Sequence, residues 1–186
     1  MTDNTLTEIP GYKAGTWVLD ASHSEVGFSV RHMMISKVRG TFAVAEATIV
    51  APENPLDLTL DAKVDVASIN TKDEGRDNHL RSADFFDAET YPNITFVSTG
   101  VRQQGGDFLV DGDLTIKDVT KSVTFTVEFG GFGTDPWGNY KAGATAKTVI
   151  NREEFGLTWN AALETGGVLV GKDVTIELDL QGSIQA

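Results

Sequence analysis

The chain has 186 residues, of which 40% are hydrophobic and 23% charged, and its formal net charge is -12. This length and composition are typical of one globular domain, while the excess of acids opposes general nucleic-acid binding and docking on anionic membranes. The absence of cysteine excludes disulfides, thiolate metal sites and a cysteine nucleophile.

We interpret residues 1–14 as a polar N-terminal tail and expect one domain over residues 15–186. The first residues have neither the basic region nor the apolar core of a secretory signal. No apolar run approaches the length that spans a bilayer. We therefore expect a cytoplasmic protein with no integral membrane segment.

Alternating apolar and polar residues begin after this tail and predict β-strands. In residues 25–32, one face carries Val26, Phe28, Val30 and His32, so we expect His32 to point inward. A second strand follows over residues 37–44, again with alternate apolar positions. A bulge near Ala45 would explain why the phase is then lost.

Residues 56–68 show the cleanest alternation, with apolar side chains on one face and polar side chains on the other. Such a strand suits an antiparallel sheet that is buried on one side only. Residues 70–82 then predict the one helix. Thr71 to Glu74 matches a T-x-x-E capping box, and Asp77 and Arg81 are spaced for an ion pair one helical turn apart.

Strand patterns resume after the helix and continue to the end of the chain, which predicts about eight or nine strands in all. Many long strands with one apolar face form either a sandwich or a barrel. The strand lengths and the 19 glycines favour an antiparallel barrel, because long strands must tilt and coil and glycines relieve the corners.

The segment ADFFDAETYP after the helix departs from the strand pattern and suits a cover for one end of such a barrel. In that interpretation Leu80, Phe85 and Phe86 plug the apolar interior, while Arg76, His79 and Arg81 lie at the rim. The alternative is that the two phenylalanines simply complete the core. The residues alone leave both interpretations open.

Three stretches of this sequence resemble the YceI-like family of lipocalin-like polyisoprenoid-binding proteins: LDASHSEVGFSVRHMMISKVRGTF, RDNHLRSADFFDAETYPNITFVST and INREEFGLTWN. The resemblance covers nearly the whole chain. It implies an extended eight-stranded antiparallel lipocalin-like barrel with a hydrophobic pore and a helical segment near one end. It also implies a bound long isoprenoid or similar lipid and a homodimer.

A lipid tail is held mainly by burial, which contributes about 0.8 kcal/mol per methylene group, so we expect binding without catalysis and without a cofactor. The expected ligand is a polyisoprenoid, a quinone or a fatty-acid-like lipid, whose head group needs cations or donors at the mouth. The predicted binding residues are Phe28, Val30, His32, Phe42, Arg76, His79, Leu80, Phe85, Phe86, Phe96, Arg152, Phe155 and Trp159.

The roles of Arg152 and of the histidines, and the function itself, each have an alternative interpretation. Arg152 either contacts a head group or is a buried arginine paired with an acid such as Asp20 or Asp77. The three histidines match no short metal-ligand spacing, so we expect core or pore histidines instead of a metal site. A filled barrel acting as an interaction protein, or a lipid-modifying enzyme using His32 and His79, are the rival functions.

Overall fold

The computed structural model describes residues 9–43, 45–161, 163 and 169–185. Within these ranges the chain forms eleven β-strands and one α-helix. The elements are β1 (Gly15–Leu19), β2 (Glu25–His32), β3 (Ser36–Phe42), β4 (Ala45–Ala51), β5 (Thr59–Asp65), β6 (Ile69–Asn70), α1 (Glu74–Arg81), β7 (Asn93–Gln104), β8 (Asp107–Ile116), β9 (Val119–Thr134), β10 (Tyr140–Asn151) and β11 (Val170–Ile184).

These segments build eight barrel strands that close into one antiparallel barrel. Three of the eight are interrupted and consist of β1 with β2, β3 with β4, and β5 with β6. The barrel closes because β11 pairs with β10 on one side and with β1 and β2 on the other. The predicted all-β, eight-stranded antiparallel barrel with one short helix is therefore confirmed.

The predicted bulge near Ala45 adjoins Val44 and stays a prediction, while the described residues on either side belong to two separate strands. β3 ends at Phe42 and pairs with β2, whereas β4 begins at Ala45 and pairs with β1. The partner strand is interrupted at the same level by a 3₁₀ turn over residues 21–23, which the Asp20 side chain caps. Both strands can therefore bend together. Val44 lies outside the described residues.

The alternation in the sequence decides which side chains face the barrel interior. Val26, Phe28, Val30 and His32 of β2 all point inward, as predicted. The same holds for Phe125 and its alternate neighbours in β9. Because the side-chain period of a strand is two, the residues between them are directed to the outer face, although Arg31, near the end of β2, also borders the cavity.

Two glycines let aromatic rings lie flat on the barrel wall. A Cβ atom at Gly40 would collide with the ring of Phe28, its cross-strand partner. A Cβ atom at Gly112 would collide in the same way with the ring of Phe96. Glycine in a strand often marks such a close approach, and here it lets the interior hold bulky rings.

The two ends of the barrel differ. We call one the helix end, which consists of the turn at 33–35, α1 with the loop at 82–92, and the segment at 152–161. The hairpin end consists of the turns at 52–58, 105–106 and 135–139. Within residues 9–43, 45–161, 163 and 169–185, the one α-helix lies at the helix end and covers it.

The predicted capping box at the start of α1 is wrong. Asp73 is the N-cap residue, and its carboxylate accepts a hydrogen bond from the Arg76 main-chain N–H at 3.0 Å. Thr71 lies too early to cap the helix. Its hydroxyl instead donates to the carboxylate of Asp77 at 2.6 Å, and its main-chain N–H donates to the same oxygen at 2.8 Å.

The predicted ion pair between Asp77 and Arg81 is also absent. Asp77 is buried and turned toward Thr71. Arg81 donates instead to the main-chain oxygens of Ala67 and Ile69, at 3.0 and 3.1 Å. These contacts attach the middle of the short helix to Thr71, which follows β6, and its last residue to Ala67 and Ile69. They compensate for its length of only eight residues.

Acid should weaken the barrel through Asp111 on the outer face of β8. Its carboxylate accepts two hydrogen bonds from Arg102, at 2.7 and 2.8 Å, and one from the Thr124 hydroxyl at 2.6 Å. These contacts, with Arg102 the main one, lower the pKa of Asp111 to about 2. An unfolded aspartate has a pKa of about 3.9, so the stabilisation is present above that pH and is lost as the pH falls through about 2.

We therefore expect Asp111→Asn to flatten the pH dependence of the free energy of unfolding between about pH 5 and pH 2. Urea unfolding curves recorded across this range measure it. Asp113→Asn, an exposed change on the same strand, is the matched control. If the wild type and Asp111→Asn lose stability in parallel, the contacts of Asp111 do not contribute.

Candidate functional site

The barrel encloses a cavity of about 610 Å³. This volume lies within the range of ~300–1,000 Å³ that is common for small-molecule sites. Strands from all around the barrel supply the wall, and the wall is almost entirely apolar. A cavity of this kind has room for an apolar ligand and little to hold a polar one.

Twelve of the thirteen predicted binding residues line this cavity. They are Phe28, Val30, His32, Phe42, Arg76, His79, Leu80, Phe85, Phe86, Phe96, Arg152 and Trp159. The exception is Phe155, whose side chain is 1% exposed and packs in the core beside the cavity. It belongs to a 3₁₀ turn, so strand alternation does not apply to it. Contact with a ligand stays a prediction for the other twelve.

The cover at the helix end is part lid and part core. Phe85 belongs to the main hydrophobic cluster, and Leu80 and Phe86 pack against it. All three also line the cavity. The Phe86 ring lies 6.1 Å from that of Phe42 on the barrel wall, edge to face. The two interpretations of this segment therefore describe the same contacts.

His79 joins the helix to the rest of this cover. Its ring meets Phe85 and Trp159 edge to face, with centroids 5.1 and 4.8 Å away. Its Nε2 lies 2.9 Å from the Asp84 carboxylate. One side of the imidazole therefore contacts apolar rings while the other is directed to a partly exposed acid, as expected of a residue at the rim.

Arg76 brings a positive charge to the same rim. Its guanidinium donates to the hydroxyl and to the main-chain oxygen of Thr71, both at 2.8 Å. The side chain is half-buried and lines the cavity. No carboxylate within the described ranges forms an ion pair with it. Its charge is therefore available to an anionic group at the cavity mouth.

Arg152 is buried and serves the backbone. Its guanidinium donates to the main-chain oxygens of Gly171 at 2.7 Å, Trp159 at 3.0 Å and Val170 at 3.3 Å, and also to that of Leu157. Burial lowers the pKa of this guanidinium from its ordinary value. One side chain thus joins the segment after β10 to the start of β11.

The predicted pairing of Arg152 with Asp20 or Asp77 is wrong. Asp20 accepts instead from Lys141 at 3.0 Å and from the side chains of Ser22 and His23, contacts that lower its pKa. Asp77 binds Thr71. Carbonyl partners carry no sequence signal, since every residue has one, so the sequence could not reveal them.

The hairpin end holds an aromatic cluster that the sequence analysis missed. Trp17 lies 5.9 Å from both Phe132 and Tyr140, measured between ring centroids. Tyr12, which belongs to the predicted polar tail, also lines the cavity, and its hydroxyl donates to Pro52. The alternation from Gly15 onward would have placed Trp17 inward. Nothing in the sequence signals the position of Tyr12.

The three histidines lie in three different parts of the structure. His32 lines the cavity, His79 belongs to the cover, and His23 lies outside beside Asp20. Among the residues with described positions, no three His, Asp or Glu side chains are grouped to hold a metal ion. No helix in the described part of the chain has the length and apolarity needed to cross a membrane.

Comparison with known proteins agrees with this architecture. The family model of the YceI-like domain matches residues 17–182. A UPF0312 protein of Staphylococcus aureus strain USA300 is 42% identical over 170 residues, which cover 90% of this chain and 97% of that protein.

Solved structures share the fold. BcnA of Burkholderia cenocepacia is 26% identical, with a TM-score of 0.77 over 88% of this chain and 98% of that one. A polyisoprenoid-binding domain from Saccharophagus degradans has a TM-score of 0.69 at 16% identity and covers 93% of this chain and 100% of its own. At that identity the likeness shows the fold alone.

Proposed function

This chain belongs to the YceI-like family, and from that premise we propose that its barrel binds a long-chain isoprenoid or similar amphiphilic lipid and stores or carries it without catalysis. The observation that carries the proposal is the apolar cavity of about 610 Å³. The polyisoprenoid-binding domain of Saccharophagus degradans, which has the same fold, supports the choice of ligand class.

Burial alone supplies enough free energy for such a ligand. Each methylene group removed from water contributes about 0.8 kcal/mol, so a tail of roughly twenty carbons reaches about 15 kcal/mol before the cost of ordering it. That is near the upper range of non-covalent affinities. A filled barrel, the rival interpretation, would leave no cavity of this size.

The polar side chains of the wall orient the ligand in this proposal. His32, Arg76 and His79 all border the cavity at the helix end. The rings of Trp17 and Phe132 line the cavity at the hairpin end. A head group with negative charge or acceptor atoms is therefore placed at the helix end, and the tail extends toward the aromatic rings.

The direct test is to purify the protein under mild conditions and identify what it carries. Native mass spectrometry, followed by extraction and lipid mass spectrometry, should show one lipid per chain from a single chemical class. The same spectra report whether the protein is the homodimer we propose. A protein that arrives empty and takes up no prenyl lipid in vitro would contradict the proposed function.

Arg76→Gln should weaken binding of a charged head group selectively. A hydrogen bond to a charged group contributes about 1.5–3 kcal/mol, so we expect roughly a tenfold to hundredfold weaker affinity for geranylgeranyl diphosphate. The neutral alcohol with the same tail should bind as before. Trp159 lines the cavity, so its fluorescence reports both titrations.

Lys72→Gln is the matched control, because Lys72 precedes the same helix but is exposed and does not line the cavity. It should leave both affinities unchanged. An equal loss of the diphosphate and the alcohol in Arg76→Gln would show that Arg76 acts on the shape of the cavity and not on the head group.

A further inference from the structure

The turn between β2 and β3 exposes three consecutive large apolar side chains. Met33, Met34 and Ile35 are 41%, 55% and 79% exposed. A single exposed apolar residue is ordinary on a protein surface, but a contiguous group is a sign of an interaction site. We call these three residues the apolar tip.

The backbone of the tip does not explain its composition. Met33 and Met34 have φ angles of 53° and 62°, which lie in the left-handed region where Gly and Asn are favoured. Methionine at both positions is unfavourable for the turn itself. The side chains are therefore better explained by what they contact outside the barrel than by the geometry of the hairpin.

Three cations surround the tip. Arg31 and Lys37 are directly opposite each other across β2 and β3, and Arg39 follows on the same outer face. All three are exposed, and no residue that the structure describes forms an ion pair with them. Like charges opposite each other destabilise a sheet, so this arrangement weakens the free protein.

The local charge here is opposite to that of the whole chain. The net charge is -12, yet the sequence contains no Asp or Glu between Glu25 and Glu46. Charges farther away than the Debye length, about 8 Å at physiological salt, are largely screened. A surface that reaches the tip therefore meets the cations of the hairpin first, although exposed acids of the same end, such as Glu74 and Asp84, lie on α1 and the loop after it.

We propose that the apolar tip and its three cations dock this barrel on an anionic lipid bilayer. Apolar side chains entering the acyl boundary beside cations that meet the head groups are the usual combination of interfacial binding. A second copy of the chain fits less well, since a stable protein interface buries about 800 Å² per partner, far more than a three-residue turn provides.

The position of the tip links docking to the cavity. His32, the residue before Met33, lines the cavity, and the Met33 main-chain N–H donates to Leu169, which also lines it. A docked barrel thus holds its helix end, where the head group of the proposed ligand lies, close to the membrane. This inference rests on the proposed function for its purpose, but its test requires no ligand.

The test is vesicle co-sedimentation of the whole chain. Vesicles of phosphatidylcholine and phosphatidylglycerol, roughly three to one, should bind the protein, and phosphatidylcholine alone should bind it far less. Lys37→Gln combined with Arg39→Gln should weaken binding roughly thirtyfold, whereas Lys63→Gln combined with Lys121→Gln changes the net charge equally and should have little effect. Salt at about 0.5 M should abolish most of the binding.

The apolar part is tested separately. Ile35→Gln should lose roughly tenfold in vesicle binding, while Val149→Gln, which removes a 56% exposed valine from the side of the barrel, should not. Ile35→Trp in a Trp137→Phe background should show a blue shift of tryptophan fluorescence on adding anionic vesicles, which reports insertion of the tip. Circular dichroism shows separately that the variant is folded.

Three results would overturn the proposal. The first is that the wild type does not bind vesicles, and the second is that the tip variants bind them as the wild type does. The third is that Ile35→Gln converts a dimer to a monomer and leaves vesicle binding unchanged. The last result would assign the tip to a second copy of the chain. Uptake of a prenyl lipid from detergent is unaffected by these outcomes and tests the proposed function independently.

Discussion

Arg152→Met should lower the free energy of unfolding by about 4 kcal/mol, because it removes a buried cation that donates to four main-chain oxygens. Methionine keeps most of the aliphatic packing, so the loss measures the hydrogen bonds more than the volume. The carbonyls of Leu157 and Trp159 would stay in or near the core without a donor, which costs about 1–3 kcal/mol each when they are fully buried.

Urea unfolding monitored by tryptophan fluorescence measures this change. An unchanged dependence of the free energy of unfolding on urea concentration would show that the folded state is otherwise intact. Arg152→Lys should recover only part of the loss, since a lysine cannot direct donors in several fixed directions. Arg102→Met removes an exposed arginine bound to one acid and should cost much less. A loss below about 1 kcal/mol in Arg152→Met would mean that other groups satisfy these carbonyls.

Filling the cavity should abolish lipid binding while the barrel remains folded. Ala62 and Ala144 line the cavity from β5 and β10, and replacing both with phenylalanine places two rings inside it. If these rings displace about five methylene groups of the ligand, the loss is about 4 kcal/mol, or about a thousandfold in affinity. Equilibrium titration with a prenyl lipid measures it.

The control for this experiment adds the same two rings to the outside of the barrel. Val97 and Val149 are 48% and 56% exposed, so Val97→Phe combined with Val149→Phe should leave affinity unchanged. Circular dichroism and thermal unfolding confirm that each double variant is folded. Normal lipid binding by the filled variant would place the ligand outside the cavity and contradict the proposed function.

Much of the site could be predicted from the sequence because its signals are local. The inward direction of Phe28, Val30 and His32 follows from the two-residue period of a strand, which needs no knowledge of partner strands. The segment with Phe85 and Phe86 stood out because it breaks that period. The cover at the helix end was therefore predictable, although its identity as both lid and core was not.

The errors share a different cause. The T-x-x-E pattern predicts Thr71 as the cap of α1, but Asp73 accepts from the Arg76 main-chain N–H and the Thr71 hydroxyl donates to Asp77 instead. Phe155, a predicted binding residue, packs in the core beside the cavity, because the 3₁₀ turn that holds it directs its side chain there. Each error occurred where contacts between distant segments outweigh local preference.

The sequence by itself determined the family, a domain of about eight or nine antiparallel strands, and the inward side of the strands that alternate cleanly, because these depend on patterns within a few neighbouring residues. The count of eight came from the family resemblance. The tertiary structure alone decided that Arg152 binds carbonyls and that Tyr12 lines the cavity at the hairpin end. It also placed Arg31 opposite Lys37 beside the apolar tip. These contacts join residues from different strands, and their geometry exists only once the barrel has closed.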